Sequence, residues 1–208
     1  MLLALDTATA AVTVALHDGA SVTATSGVIG PLRHGELLAP AIDEVLQRAG
    51  VGPTDLTRIA VGVGPGPFTG LRVGVVTART MAAVLGIPVV GVCSLDVVAA
   101  AVDPGQSFAV ATDARRKEVY WARYDSARRR VTEPAVGKPA AFAFAGPVAG
   151  LGAVLYPDAF PHAVPPEYPD AGDLARLVAG ENVELLPPDP LYLRRPDVAA
   201  PVTPKAVS

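Results

Sequence analysis

Leu3-Ala4-Leu5-Asp6-Thr7-Ala8, running into Val12-Thr13-Val14-Ala15 and Asp18, has a second version in Val110-Ala111-Thr112-Asp113-Ala114-Arg115, which runs into Val119-Tyr120-Trp121-Ala122 and Asp125. Asp, Val, Ala and Asp recur at a single offset of 107 positions in a chain of 208 residues. An offset of about half the length predicts two similar half-domains, each opening with an apolar strand that ends in aspartate.

Outward from the first copy, Leu2 to Asp6 reads as a short buried strand. Ala11 to His17 and Ser21 to Val28 read as a hairpin turning at Asp18-Gly19, a pair suited to tight turns. A helix is expected over His34 to Ala49, its apolar face carried by Leu38, Ala41, Ile42, Val45 and Leu46, with Gly50 as its stop and Pro40 loosening its middle. Arg58 to Val63 is expected as a strand, Gly64 to Gly70 as a loop, Leu71 to Leu85 as a helix, Pro88 to Val92 as a strand and Ser94 to Val102 as a helix. Strands alternating with helices imply a partly parallel, helix-covered sheet. The hairpin returns between Ser107 and Tyr124. Beyond it prolines and glycines break the pattern, and only Gly172 to Ala179 reads as helix. The expected organisation is an N-terminal half-domain over 1–103, a reduced C-terminal half-domain over 104–194 and a flexible tail over 195–208. The fold class is α/β, a duplicated actin-like (ribonuclease-H-like) architecture, in which paired half-domains face each other across a cleft.

Composition narrows the function. Half of the residues are hydrophobic and 18% are charged, enough apolar material for a substantial core and a poor match to disorder. A net charge of −3 supplies no overall positive field to drive nucleic-acid binding. With Cys93 as the one cysteine there is no internal disulfide and no thiolate cluster for a metal. The start of the chain lacks a secretory pattern and charges interrupt each long apolar run, so a cytoplasmic protein without membrane anchoring is expected.

The most specific local motif is Gly64-Pro65-Gly66-Pro67-Phe68-Thr69-Gly70-Leu71-Arg72-Val73-Gly74, between a strand and a helix. Glycines there permit close backbone approach and an inward-facing anion nest, which with Asp6 and Thr7 makes Gly64, Gly66, Thr69 and Gly70 candidates for a nucleotide or anion site. The same glycines serve equally as a rigid turn that sets helix orientation. Pro67 offers no N–H donor, and Asp6 also suits a turn-capping role. His34 lacks a catalytic partner at a recognisable spacing. Arg115-Arg116-Lys117 and Arg128-Arg129-Arg130 read as solvated turns or as phosphate contacts. Gly74, Ala78 and Ala82 recur every four residues as a ridge of small side chains that a partner helix can approach. With Met81 and with Leu38, Ile42 and Val45 of the preceding helix, they make a candidate interface, the alternative being burial inside this fold.

Asp6-Thr7-Ala8-Thr9, Arg33-His34-Gly35-Glu36-Leu37-Leu38, the loop from Gly64, Asp113-Ala114-Arg115 before Glu118-Val119-Tyr120-Trp121, and Leu191-Tyr192-Leu193-Arg194 together resemble the TsaB (YeaZ) family of bacterial tRNA threonylcarbamoyladenosine biosynthesis proteins. The resemblance spans nearly the whole chain in order. The family's usual loop has serine where Pro67 stands. The resemblance implies a non-catalytic subunit: it pairs with a related TsaD-like catalytic subunit, is joined by a TsaE-like ATPase, reaches tRNA through that complex and forms a homodimer when alone. It also implies no tightly bound cofactor, with ATP or ADP acting at the level of the complex, and no metal. The catalytic relatives carry a His-x-x-x-His metal pair after the strand equivalent to Pro88–Val92, where this chain reads Cys93-Ser94-Leu95-Asp96-Val97-Val98-Ala99. The alternatives from the residues alone are a free-standing nucleotide phosphotransferase using Asp6 and the Gly64 loop and, more remotely, a metallopeptidase.

Overall fold

Strand β1 (Leu2–Asp6) is buried along its whole length, as a continuous apolar run in a sheet covered on both faces should be. It lies at the centre of a five-stranded sheet in the computed structural model, which describes residues 1–30, 33–103, 105–142 and 144–194. β2 (Ala11–His17) pairs with it antiparallel on one side and β4 (Arg58–Gly62) parallel on the other, with β3 (Val22–Ile29) and β5 (Val89–Val92) at the edges, giving the order β3-β2-β1-β4-β5. A second sheet repeats that order and those directions as β8-β7-β6-β9-β10, from β6 (Phe108–Asp113), β7 (Val119–Tyr124), β8 (Ala135–Gly137), β9 (Val148–Ala149) and β10 (Ala163–Val164). This is the duplicated actin-like topology that the 107-residue offset predicts.

The two hairpins are not copies residue for residue. Asp6 stands opposite Thr13, whereas Asp113 stands opposite Val119, so the second connection is one residue shorter. The sequence offset matches Val119 to Val12, but the sheet matches it to Thr13.

Period-two alternation divides the first sheet between two covers. Leu3, Leu5, Val12, Val14, Ile59 and Val61 face α1 (His34–Ala49) and α2 (Phe68–Leu85), while Leu2, Ala4, Ala15, Ala60 and Val92 face α5 (Ala171–Ala179). In the second half, Phe108, Val110, Ala122 and Tyr124 pack on α3 (Ser94–Ala100), and Ala109, Ala111, Val119 and Val148 pack on α4 (Leu151–Leu155) with Phe142 and Phe160. Among its described residues the crossover before β9 holds a three-residue 3₁₀ turn, and α4 has five residues against eighteen in α2. The C-terminal half is reduced, as expected.

α1 spans His34–Ala49 as expected, with Pro40 inside it on the exposed side. Three expectations need correction. α2 begins at Phe68, three residues early, with Pro67 at its N-cap, where the absent N–H is not needed for the helix. α3 ends at Ala100 rather than Val102. α4 went unread because five residues carry no period. α2 has the length and apolarity of a membrane span, yet its Leu71, Val75, Ala78 and Ala82 are buried against the sheet. The tail expected over 195–208 lies outside the described residues.

Candidate functional site

The turn after β1 is the centre of the site, and the glycines of the Gly64 motif close around it. A Cβ on Gly66 would meet the Ala8 carbonyl oxygen at 2.0 Å, one on Gly70 the Thr7 carbonyl oxygen at 2.8 Å, and one on Gly74 the Thr7 hydroxyl at 2.4 Å. Gly62, at the end of β4, admits the Asp6 carboxylate, whose Oδ2 a Cβ would meet at 1.8 Å. Thr7 is 1% exposed, and its hydroxyl donates to the Gly70 carbonyl (2.8 Å) and accepts from the Gly74 amide (3.0 Å). Those two groups would be bonded to each other in a regular α-helix. A side chain from the first hairpin thus takes part in the ladder of α2 and locks the helix to β1.

Asp6 is fully buried. Its Oδ1 accepts from the Ala8 amide (2.8 Å) and its Oδ2 from the Ser94 hydroxyl (2.6 Å). Ser94 in turn accepts from the Gly64 amide (3.1 Å), and its own amide donates to the Gly64 carbonyl (2.7 Å). Burial lifts the Asp6 carboxyl from 3.8 to about 6, against the lowering effect of the Ser94 and Ala8 bonds and of nearby His34. Desolvation disfavours the charged form more than two hydrogen bonds favour it. His34 Nε2 donates to the Thr9 carbonyl at 2.6 Å, so it pins the same turn to the start of α1.

Asp6, Thr7, Gly64, Gly66 and Gly70 are therefore brought together as the sequence reading expects, but with one another as partners. Thr69 is the exception, exposed in the first turn of α2. The reading missed Gly62 and Ser94. Nothing in local spacing ties Ser94 to Asp6 across 88 positions, and only the parallel β1–β4–β5 order explains it.

The second hairpin faces the first across a cleft of about 210 Å³ lined by Thr9, Thr112, Asp113, Arg115 and Tyr168. The Thr112 hydroxyl is buried there without a hydrogen-bond partner among the described residues. A C-terminal strap joins the halves. The Leu186 and Gly91 backbones exchange hydrogen bonds (2.8 and 2.9 Å), and the Leu191 amide donates to the Val63 carbonyl (2.8 Å). Tyr192 stacks on Phe68 at 4.9 Å, and Arg194 ion-pairs with Glu118 while donating to the Ala114 carbonyl (2.9 Å).

The candidate interface residues are placed differently from the expectation. Leu38, Ile42, Val45, Ala78 and Ala82 are 0–6% exposed and Gly74 is buried, all of them within this chain's own core, and Met81 is only partly covered. The small-residue ridge of α2 faces β1 and β4, because Thr7 and Leu5 need that room. The outward face of α2 carries Arg72, Val76, Arg79, Thr80, Ala83 and Val84, with Val76 59% and Val84 80% exposed.

Residues 20–158 match a family model described as TsaD, tRNA N6-adenosine threonylcarbamoyltransferase. The chain is 41% identical over 215 aligned positions to an uncharacterised protein of Mycobacterium leprae, covering 98% of this chain and 57% of that one. It is 36% identical over 126 positions to the tRNA threonylcarbamoyladenosine biosynthesis protein TsaB of Escherichia coli, covering 59% of this chain and 54% of the other. The chain thus spans little more than half the length of these two relatives. The solved structure of YeaZ from Pseudomonas aeruginosa superposes with a TM-score of 0.75 at 31% identity, over 92% of this chain and 99% of that one.

Proposed function

We propose that this chain, which belongs to the TsaB (YeaZ) family, serves in tRNA threonylcarbamoyladenosine biosynthesis as an accessory subunit that holds a TsaD-like catalytic relative in its working assembly. Its two halves, 1–103 and 104–194, act as one scaffold.

The observation that carries this reading is the outward face of α2. Its inner face is fully used by the chain's own sheet, yet Val76 and Val84 stand exposed on the outer one. An α-helix that buries one stripe normally turns polar residues to water; here Val76 and Val84, eight positions apart, share that face with Arg72, Arg79 and Thr80, a mixture of apolar and cationic groups that suits a partner contact. The Asp6 region supports the same division of labour. Its carboxylate, hydroxyls and glycines are engaged with each other, which suits a part that fixes shape. A TsaE-like ATPase and tRNA join through the complex, and the same α2 face pairs two copies when the catalytic subunit is absent.

The test is recovery of partners and of product. Purified from its own cells, the chain should bring down a larger, histidine-bearing relative at fixed stoichiometry, and extract depleted of the chain should lose threonylcarbamoyladenosine formation on tRNA. Full-rate modification in depleted extract would end this reading.

A further inference from the structure

A second cavity, sharing Arg115 with the interlobe cleft, lies between the start of α2, the tip of the second hairpin and the strap. It encloses about 330 Å³ and is lined by Arg115, Arg116, Tyr120, Tyr192 and Arg194 beside Gly66–Phe68. We propose that this cavity binds a single-stranded segment of RNA, with backbone phosphate against Arg115 and Arg116 and a base stacked on Tyr192. The identity of the polymer rests on the reading of the chain as a tRNA-modification subunit; the chemistry of the cavity does not.

Charge is the first argument. Arg115, Arg116 and Arg194 line the cavity and Arg72 is bonded to Tyr192, against Asp113 and Glu118, an excess of two positive charges on a chain whose net charge is −3. Guanidinium groups bind phosphate oxygens bidentately and without regard to base sequence. Arg194 is held by Glu118 and Ala114 and Arg115 lies 3.7 Å from Asp113 with its side chain 55% exposed; the phosphate contacts are assigned to Arg115 and Arg116 because both line the cavity from the exposed hairpin tip. The backbone presents them in an unusual way. Arg115, Arg116 and Lys117 take φ values of 60°, 55° and 59°, three successive left-handed residues in a region disfavoured for any side chain with a Cβ. The Arg115 amide donates to Asp113 Oδ1 (2.9 Å) and the Glu118 amide to the Arg115 carbonyl (3.0 Å), and these bonds hold the tip in that shape.

The aromatic shelf is the second argument. Tyr192 is 38% exposed yet fixed, its ring stacked on Phe68 and its hydroxyl accepting from Arg72 Nε at 2.6 Å, while Arg72 lies 3.7 Å over the Phe68 ring. Tyr120 forms another wall, its hydroxyl donating to the Gly66 carbonyl at 3.4 Å. A pre-ordered ring beside clustered guanidiniums is the combination that single-stranded nucleic acid uses, phosphate on cation and base on π-face.

The test uses the purified full chain and a fluorescein-labelled ten-nucleotide single-stranded RNA of mixed sequence, followed by anisotropy from 50 to 300 mM salt. Arg115→Gln/Arg116→Gln should reduce the steepness of log affinity against log salt by about 1.4, from two single-strand phosphate contacts at about 0.7 each. The charge-matched Arg48→Gln/Arg176→Gln pair, on α1 and α5, should leave it unchanged. Tyr192→Ala should weaken binding at least about fivefold, the low end for one stacked base, and Tyr192→Phe should bind as the unaltered chain does. Absence of RNA binding, equal slope changes for both arginine pairs, or full displacement of RNA by an equal phosphate concentration of ATP would overturn the proposal. Recovery of the catalytic relative by the same preparations is scored in parallel. Loss of RNA binding with that recovery intact removes this inference alone, and loss of recovery alone removes the scaffold reading.

Discussion

Asp6→Asn separates a carboxylate that shapes a turn from one that performs chemistry. In the folded chain Asp6 keeps its proton up to about pH 6, whereas in the unfolded chain it releases it near 3.8. Each unit of difference is worth about 1.4 kcal/mol, so ionising Asp6 costs the fold about 3 kcal/mol. The sign follows from linkage. A carboxyl whose folded pKa is raised contributes stability that is fully present below 3.8, is lost as the pH climbs towards about 6 and stays lost above it. Asparagine can accept from the Ala8 amide with its oxygen and meet the Ser94 hydroxyl with its NH₂ group, and it does not ionise. Relative to the unaltered chain, Asp6→Asn should therefore gain about 3 kcal/mol between pH 4 and pH 7, read from urea unfolding at intervals across that range. Parallel stability curves for the two chains would refute the account of Asp6. The functional arm is independent. The variant should still support threonylcarbamoyladenosine formation in depleted extract, and loss of modification by a folded, partner-binding Asp6→Asn would return the carboxylate to a chemical role.

The two faces of α2 make opposite predictions. Val76→Asp and Val84→Asp alter exposed positions, should change stability by no more than about 0.5 kcal/mol, and should abolish co-purification of the catalytic relative. Ala78→Asp, at a site 0% exposed in the core, should unfold the chain, because an unpartnered buried charge costs more than a small domain can spare. Circular dichroism and pull-down distinguish the pair. Gly66→Ala places a methyl group 2.0 Å from a backbone oxygen and should cost at least the 1–3 kcal/mol typical of overpacking, whereas Gly35→Ala, with open space around it, should be neutral or stabilising by up to about 1 kcal/mol. Thermal melts read both. Burial and the neighbouring Asp96 carboxylate push the Cys93 thiol up to about 12, so at pH 8 it should resist thiol reagents in the folded chain and react at once in urea. Reaction of the native thiol at the rate of a free cysteine would contradict its placement.

The fold was legible because duplication and strand chemistry are local. Leu2–Asp6 and Phe108–Asp113 each read as apolar runs ending in aspartate, and Gly50, expected as a helix stop from its residue type, ends α1 with a left-handed φ of 67°. What stayed hidden was long-range. The direction in which α2 presents its small residues cannot be told from a four-residue period, since such a ridge serves a partner helix and a β-strand equally well. The Thr7 hydroxyl between Gly70 and Gly74 settles the direction, and no pattern in Gly64–Gly74 announces a threonine 63 positions before Gly70 and 67 before Gly74. The one-residue shortening of the second hairpin is hidden for a similar reason. Val12 and Val119 share a residue type at a constant offset, and only the hydrogen-bond register shows that Thr13 is the true counterpart.

Thr7 also bears on why a chain of this architecture would suit the proposed scaffold. A loop that grips a phosphate must keep amides free and leave open the space that glycines provide. In this chain Gly62 makes room for Asp6, Gly66 for Ala8, and Gly70 and Gly74 for Thr7, and Ser94 closes the remaining side through Gly64 and Asp6. The same residues that allow a mobile, ligand-dependent loop in principle are here cross-linked into a rigid joint between β1, β4, α2 and α3. Rigidity at that joint fixes the tilt of α2 against the sheet, and with it the position of Val76 and Val84 on the outer face. A substitution that frees Thr7, such as Thr7→Val, keeps the volume but leaves the Gly70 carbonyl and the Gly74 amide without their hydroxyl partner. It should therefore weaken partner capture through a displaced α2 even though no partner contact is removed, and unaltered capture by a folded Thr7→Val would show that the outer face does not depend on this joint.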